Sequence, residues 1–203
     1  MEEIGLFPLG IVLLPTEVVS LHVFEERYRE LIGECLELDR EFGLVFADED
    51  GVREVGTRAR VTEVLERFDD GRLNVLVRGG ERFRVERLTR GRAFITAEVE
   101  PLEDDWEEPD ADAAARVAES FRALAAVAGA EAEEPDRDVA QLSFEVAARV
   151  ELAADAKQEL LELRSERSRR ERVGRLLDDA REAILAARRL GDHAKKNGSR
   201  PAA

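Results

Sequence analysis

The amino-acid sequence predicts an α+β protein, in which a β-rich, barrel-like N-terminal domain with one covering helix precedes a C-terminal helical bundle with a long terminal helix. Three observations support this class. Short alternations of apolar and polar residues, closed by turn residues, fill most of residues 4–102, and one segment among them has helical periodicity instead. After residue 112 the alternations end, and the chain becomes rich in alanine and helical in its pattern.

The strand patterns of the N-terminal half are separated by turns that contain glycine. The Asp70-Gly71 pair between two alternating segments is the strongest hairpin signal, and Gly79-Gly80 predicts a second hairpin directly after it. A further strand is expected over residues 94–99. Together these segments predict a meander with one apolar and one charged face, which closes into a barrel and so protects its edges.

Residues 24–38 are the helical exception in this half. Their apolar residues recur at i, i+3, i+4, i+7 and i+8, which is the spacing of one amphipathic helix. Glu25 and Glu26 lie in the first turn, where acidic side chains suit the positive end of the helix dipole. The apolar set consists of Tyr28, Leu31, Ile32, Cys35 and Leu36.

A strongly acidic segment marks the predicted boundary between the two domains. Beyond it, helices are expected over residues 111–128, 139–150 and 155–163, and Ser165 is placed to cap a longer helix that ends near Leu190. The predicted organisation is a β-rich domain over residues 1–102, an acidic linker over 103–112, a helical bundle over 113–191 and a disordered tail over 192–203.

The balance of charge disfavours two classes of partner. With 46 acidic and 31 basic residues the formal net charge is −15, so general electrostatic attraction to nucleic acids or to anionic membranes is disfavoured. No apolar run is long enough to cross a bilayer, and the N-terminus lacks the positive charge of a secretory signal. We therefore expect a cytoplasmic protein that does not bind membranes.

The sequence lacks the motifs of catalysis and of metal or cofactor binding. No glycine is followed by lysine, as a phosphate-binding loop requires, no serine stands in GxSxG, and neither histidine stands in HExxH. The single cysteine, Cys35, excludes an internal disulfide, is expected to be a small buried hydrophobe, and with two histidines cannot build a Cys/His zinc site. We expect no enzymatic activity, no cofactor and no metal, and we interpret His22 as a structural residue.

Three separated parts of the chain resemble one family. They are LFPLG and VLLP within residues 6–15 with LHVFE and RYR within 21–29; VGT, DGR and GERFRV within 55–85; and LSF and KQELLE within 142–162. In this order and spacing, over about residues 4–177, they resemble the N-terminal substrate-binding domain of the Lon ATP-dependent protease.

The resemblance implies a fold, a function and a set of contacts. The fold is a PUA-like β-barrel, related to RNA-modification accessory domains, joined to a helical bundle. The function is recognition of client proteins or peptides in shallow apolar clefts, without ATPase or protease activity and with a protease or chaperone as a further partner. The candidate peptide-contacting residues are Phe7, Leu9, Tyr28 and Phe83, of which Phe83 is also expected on the core face of its strand.

The long terminal helix leaves two alternatives open. Its apolar stripe is explained by packing within its own bundle, but if its distal part extends past the body, Ile184 and Leu190 form an association surface and the chain is a self-associating structural or interaction protein. The helix is also rich in arginine, so an RNA-binding adaptor is the other alternative. Aromatic residues for base stacking are absent from it, and a solvated face explains the arginines more simply.

Overall fold

The computed structural model of the protein describes residues 2–137 and 139–198. Within them it has six strands and five helices, which confirms the mixed α+β class. The strands are β1 (Glu2–Leu9), β2 (Val18–Val23), β3 (Phe42–Asp48), β4 (Gly51–Arg67), β5 (Leu73–Thr89) and β6 (Thr96–Pro101). The helices are α1 (Glu26–Leu38), α2 (Ala111–Ala128), α3 (Leu142–Ala147), α4 (Ala154–Glu162) and α5 (Glu166–Gly198).

The described residues divide into two compact units that alternate along the chain. Unit 1 contains the residues up to Trp106 together with Ala147–Ser165, and unit 2 contains Glu107–Val146 and the described residues from Glu166 onward. The predicted domain boundaries stay a prediction. The described part of α5 continues to Gly198, whereas the predicted disordered tail begins at residue 192, and residues 199–203 of that tail lie outside the described residues.

All six strands belong to one sheet in unit 1. Their order is β2-β5-β4-β3-β1-β6, and β5 pairs with β6 as well. The pairings from β5 through β4, β3, β1 and β6 therefore return to β5 and form a closed ring, with β2 as the one described strand outside it. β1 runs parallel to β3, whereas the other pairings are antiparallel. Buried side chains of α1 pack with those of β2, β3 and the first half of β5 to form the larger core cluster.

The predicted hairpin at Asp70-Gly71 is present: its turn joins β4 to β5, which pair as antiparallel strands. Gly71 has φ +84°, and its N–H donates to the Phe68 carbonyl at 2.9 Å. The Asp70 carboxylate accepts a hydrogen bond from the Arg72 backbone N–H at 3.2 Å, and this bond lowers the pKa of Asp70 below its usual value. The turn is thus stabilised both by glycine at a left-handed position and by an aspartate that bonds its own backbone.

The second predicted hairpin, at Gly79-Gly80, is wrong. β5 runs through both glycines as one strand of 17 residues. Gly79 instead allows a close backbone approach: its N–H donates to the Glu17 carbonyl at 2.8 Å, and its carbonyl accepts from Thr16 N at 2.9 Å. A Cβ at Gly79 would lie 2.1 Å from the Leu14 carbonyl oxygen, so a side chain is sterically excluded there.

α4 is held on the sheet of unit 1 by a buried arginine of β5. Arg82 Nη1 donates to the carbonyls of Leu161 and Leu163, each at 2.7 Å, and Nη2 donates to the Asp104 carboxylate. The two carbonyls belong to the end of α4, where backbone acceptors lack partners within the helix. At the start of α4, Lys157 Nζ donates to the Glu17 carboxylate. These bonds fix a helix that is far from the strands in sequence.

Unit 2 has its own buried arginine. Arg169, on α5, donates from Nη2 to the Glu166 carboxylate at 2.8 Å and from Nε to Ser143 Oγ at 3.1 Å, and its guanidinium lies 4.4 Å from the Phe144 ring centre. Glu166 also accepts from the Ser143 backbone N–H at 3.0 Å. α3 and the first turn of α5 are thereby joined, and α2 packs along α5. α2 has the predicted bounds, whereas α3 is shorter at both ends than the predicted helix.

Candidate functional site

Three of the four predicted peptide contacts are buried in the core of unit 1. The ring of Phe7 on β1 stacks against the ring of Tyr28 on α1 at a centroid distance of 4.0 Å, and both are buried. Phe83 is fully buried, which confirms its predicted core position, and Leu9 is partly buried. A peptide on the surface of this structure does not reach the three buried rings. Their role as contacts is therefore untested, while their packing role is evident.

Phe83 occupies a space that two glycines leave open. A Cβ at Gly43 would lie 2.6 Å from Cζ of Phe83, and a Cβ at Gly56 would lie 2.8 Å from the same atom. Side chains at these two positions of β3 and β4 would displace the ring. Gly56 of the family-like VGT segment, like Gly43, is thus explained by packing of the core and not by contact with a ligand.

Three other aromatic residues of unit 1 lie close to one another; His22 and Phe24 are exposed and Phe68 is partly buried. Phe24, at the junction of β2 and α1, has 61% of its surface exposed. Its ring stacks against His22 at a centroid distance of 5.9 Å, and His22 meets Phe68 edge-on at 6.0 Å. We call His22, Phe24 and Phe68 the aromatic surface. Sequence reasoning missed its role, although the alternation in β2 already placed His22 and Phe24 on the face opposite to the buried Leu21 and Val23.

Polar groups hold the aromatic surface in place. His22 Nδ1 donates to Asn74 Oδ1 at 2.6 Å, because a carbonyl oxygen only accepts, and Asn74 Nδ2 donates to the Glu66 carboxylate at 3.1 Å. Arg72 lies over the Phe68 ring, 4.9 Å from its centre. Arg29 Nη1 of α1 donates to the Asp70 carbonyl at 2.5 Å, which ties the helix to the β4–β5 turn. The rings of His22 and Phe68 are therefore held by neighbouring groups before any ligand arrives.

The chemistry of this surface suits binding. It offers two phenyl faces and one imidazole, and the arginine beside it is engaged with Asp70 at 2.7 Å. Among the residues that the structure describes, no group of three or more His, Cys, Asp or Glu side chains is placed to hold a metal ion. In residues 2–137 and 139–198, no helix combines the length and the apolar character that a membrane span requires.

Each of the two units also has a cleft away from the aromatic surface. One in unit 1, of about 630 Å³, lies beside α1 and is bordered by charged pairs such as Arg58 with Glu2, whose atoms are 2.8 Å apart. Cys35 lines it, but burial raises the pKa of this thiol to about 11, so the thiol stays protonated at neutral pH. The other, of about 450 Å³, runs between α2 and α5 and is lined by arginines and acidic residues.

The predicted association surface lies on the distal part of α5. Val173 and Leu177 of the apolar stripe are buried in unit 2, Ile184 is partly buried, and Leu190 is 71% exposed. The stripe thus passes from the core of unit 2 to solvent along the helix. Its role in association stays a prediction.

Comparisons with known proteins give one consistent family. A family model described as the ATP-dependent protease La (LON) substrate-binding domain matches residues 3–179. A Lon protease of Brevibacillus choshinensis is 27% identical over 220 aligned residues, which cover 98% of this chain and 28% of that protease. The chain therefore spans little more than a quarter of the relative's length.

Two solved structures have similar folds. A Lon N-terminal domain protein from Xanthomonas campestris is 29% identical, has a TM-score of 0.64, and covers 85% of this chain and 97% of its own. The N-terminal domain of the Mycobacterium avium complex Lon protease is 21% identical, has a TM-score of 0.67, and covers 89% of this chain and 98% of its own. The second likeness carries information on the fold alone.

Proposed function

Because this chain belongs to the family of ATP-dependent protease La (Lon) substrate-binding domains, we propose that it captures client polypeptides on the aromatic surface of His22, Phe24 and Phe68. The observation that supports this most directly is the 61% exposure of Phe24. Contiguous exposed apolar surface is a mark of binding sites on soluble domains, and here the exposed Phe24 adjoins two further rings. Burial of one such ring by a ligand is favourable by about 1.5–3 kcal/mol.

The orientation of the rings favours binding further. A side chain that is already held loses little rotamer freedom when a ligand packs on it, so more of the gain from burial appears as affinity. The hydrogen bonds from His22 through Asn74 to Glu66 and the bond from Arg29 to the turn supply this order. In this proposal the closed ring of strands is a PUA-like barrel that presents the surface, and the C-terminal helices form a separate bundle.

We propose no ATPase or peptidase activity for the chain. Its family model describes a substrate-binding domain, and its sequence has no phosphate-binding loop. Clients and peptides are then the direct partners, and a protease or chaperone in the cytoplasm receives them. Purified protein should turn over neither ATP nor casein, and metal-independent turnover of either would contradict this part of the proposal.

The binding test uses a fluorescently labelled, permanently unfolded protein, such as reduced and carboxymethylated α-lactalbumin, and measures its anisotropy. Phe24→Ala should weaken binding by about tenfold, since it removes a ring that the bound client would bury. Trp106→Ala is the matched control, because Trp106 is 86% exposed but lies outside the aromatic surface. An unchanged affinity of Phe24→Ala, or equal losses in the two variants, would contradict the proposed site.

Self-association through α5 is the second candidate function. The observation that favours it is the exposure of Leu190 at the end of a stripe that begins in the core of unit 2. Packing of Ile184 and Leu190 against a second copy would remove apolar surface from water. This function does not exclude client binding, because it uses a different part of the chain.

A further inference from the structure

β2 and the second half of β4 each have a side on which no described strand pairs, and the two differ in how that side is built. β2 pairs with β5 alone. β4 pairs with β3 only as far as Ala59, so residues 60–67 also pair with β5 alone. We call these the β2 edge and the β4 edge. An edge strand exposes backbone donors and acceptors, and proteins usually protect it against pairing with other chains.

The β4 edge has the usual protection. Its sequence includes Arg60, Glu63, Glu66 and Arg67, and its pairing with β5 shifts register between Val61 and Glu63 and again between Val64 and Glu66. Such irregularities bend a strand and interrupt the regular row of backbone groups. Arg60 also reaches the Asp39 carboxylate at 2.7 Å. A further strand would meet charges and a broken ladder here.

The β2 edge has none of these features. Its sequence, Val-Val-Ser-Leu-His-Val, contains no charged residue, no proline and no glycine, and of the six described strands it alone carries no charge. Its register with β5 is continuous from Val18 opposite Arg78 to Val23 opposite Leu73. Within the described chain, the main chain of Val18–Val23 bonds to no backbone group outside the sheet.

The hydrogen-bond pattern identifies the groups that point away from β5. Gly79 N–H donates to the Glu17 carbonyl. Because bonded positions alternate in an antiparallel ladder, Val19 and Leu21 direct their backbone groups to β5, and Ser20 and His22 direct theirs to the β2 edge. The β2 edge ends at the aromatic surface, since His22 is its penultimate residue and Phe24 follows it.

We infer that the β2 edge receives an extended segment of the client as an additional β-strand. The inference rests on the proposed function and names its substrate class: uncharged, β-competent segments of about the length of β2, which has six residues. Main-chain hydrogen bonds recognise such a segment whatever its sequence, and alternate side chains pack on His22 and Phe24. Charged residues make up 38% of the chain, yet the β2 edge contains none and its pairing with β5 is regular, so this edge lacks the features that prevent pairing with a further strand.

The test uses two labelled peptides with the same alternating valine–threonine core. In one peptide the backbone nitrogens of the odd-numbered residues are methylated, and in the other those of the even-numbered residues are methylated. N-methylation removes amide donors and leaves the side chains in place. One peptide should lose at least about tenfold in affinity relative to the unmethylated peptide, because its missing donors face β2, and the other should stay within about twofold. Equal affinities of the two methylated peptides would overturn the inference.

A variant of the protein gives a second measurement. Ser20→Pro removes an outward-facing N–H and should abolish binding of the unmethylated peptide, whereas Ser20→Ala should not change it. The thermal melting temperature checks that Ser20→Pro is folded. If this variant is unfolded, the comparison of the two methylated peptides on the wild-type protein still tests the inference. Undiminished binding by folded Ser20→Pro would overturn the inference.

The outcomes separate the inference from the proposed function. Loss of binding in Phe24→Ala together with equal binding of both methylated peptides would keep the proposed function and reject the additional strand. No binding of any peptide by the wild type would reject both. A third outcome is that the protein self-associates, that Ser20→Pro abolishes this self-association, and that peptides do not compete with it. This outcome would assign the β2 edge to a second copy and would also reject the inference.

Discussion

Phe83 is completely buried in unit 1, whereas Phe24 of the same unit has most of its surface exposed. Phe83 lies in the middle of β5, opposite Gly56 of β4 on one side and Pro101 of β6 on the other. Phe24 follows β2, which has a paired neighbour on one side only. Leu21 and Val23 of β2 are buried as Phe83 is, so the comparison shows that the face on which a ring lies, and not its hydrophobicity, separates a ring that stabilises the fold from a ring that reaches solvent.

The comparison is tested most strongly by the same substitution at both positions. Phe83→Asp should lower the free energy of unfolding by about 5 kcal/mol or more, because it removes a packed ring and buries a carboxylate without a partner. Phe24→Asp should change it by less than about 0.5 kcal/mol, since an exposed position tolerates charge. Urea unfolding followed by circular dichroism measures both. Equal destabilisation would show that the two environments do not differ as described.

Arg82, beside Phe83, allows a similar test with a polar side chain. Arg82→Ala should lower the free energy of unfolding by about 3–5 kcal/mol, because the Asp104 carboxylate and the carbonyls of Leu161 and Leu163 lose their donor. The control is Arg84→Ala on the same strand. The Arg84 side chain is 43% exposed and lies 3.5 Å from Glu54, so the expected change is at most about 0.5 kcal/mol. A small effect of Arg82→Ala would mean that α4 does not depend on this guanidinium.

The sequence predicted those features that depend on local pattern. Helical periodicity located α1 and α2, and Asp70-Gly71 located the hairpin between β4 and β5. It failed at Gly79, since the reason for this glycine is the approach of the Leu14 carbonyl, and no pattern near residue 79 encodes that contact. The prediction of peptide-contacting residues met the same difficulty, because exposure depends on contacts that are distant in sequence. Residues of the family-like segments are recognisable in sequence, but whether Phe7, Tyr28 or Phe24 reaches solvent depends on which strands and helices cover it.

The distal part of α5 extends the comparison to unit 2, where Leu190 is exposed like Phe24. If Leu190 and Ile184 form an association surface, the wild type should show a concentration-dependent mass in light scattering. The double variant Ile184→Glu/Leu190→Glu should then be monomeric, with a loss of stability below about 1–2 kcal/mol because Ile184 is only partly buried. Monomers of equal stability in both would leave this end of the helix without a role in packing or in association.

Cys35 probes the core beneath α1 without any change of the sequence. Burial raises its pKa to about 11, so the thiolate that reacts with thiol reagents is scarce at neutral pH. Labelling by an aromatic disulfide reagent should be at least about a hundredfold slower in the folded protein than in urea. Fast labelling of the folded protein would indicate that α1 opens from the core, and would place Phe7 and Tyr28 within reach of a ligand after all.

The bonds between Arg82 and the end of α4 have a consequence for the order in which the protein is made. Unit 1 takes its last segment, Ala147–Ser165, from a part of the chain that follows the first segment of unit 2. During synthesis the strands therefore emerge with an arginine on β5 whose carbonyl acceptors do not yet exist. We expect a nascent chain that ends at Trp106 to be less protected from proteases than one that extends through Ser165, since only the longer chain contains the two carbonyl acceptors of this guanidinium.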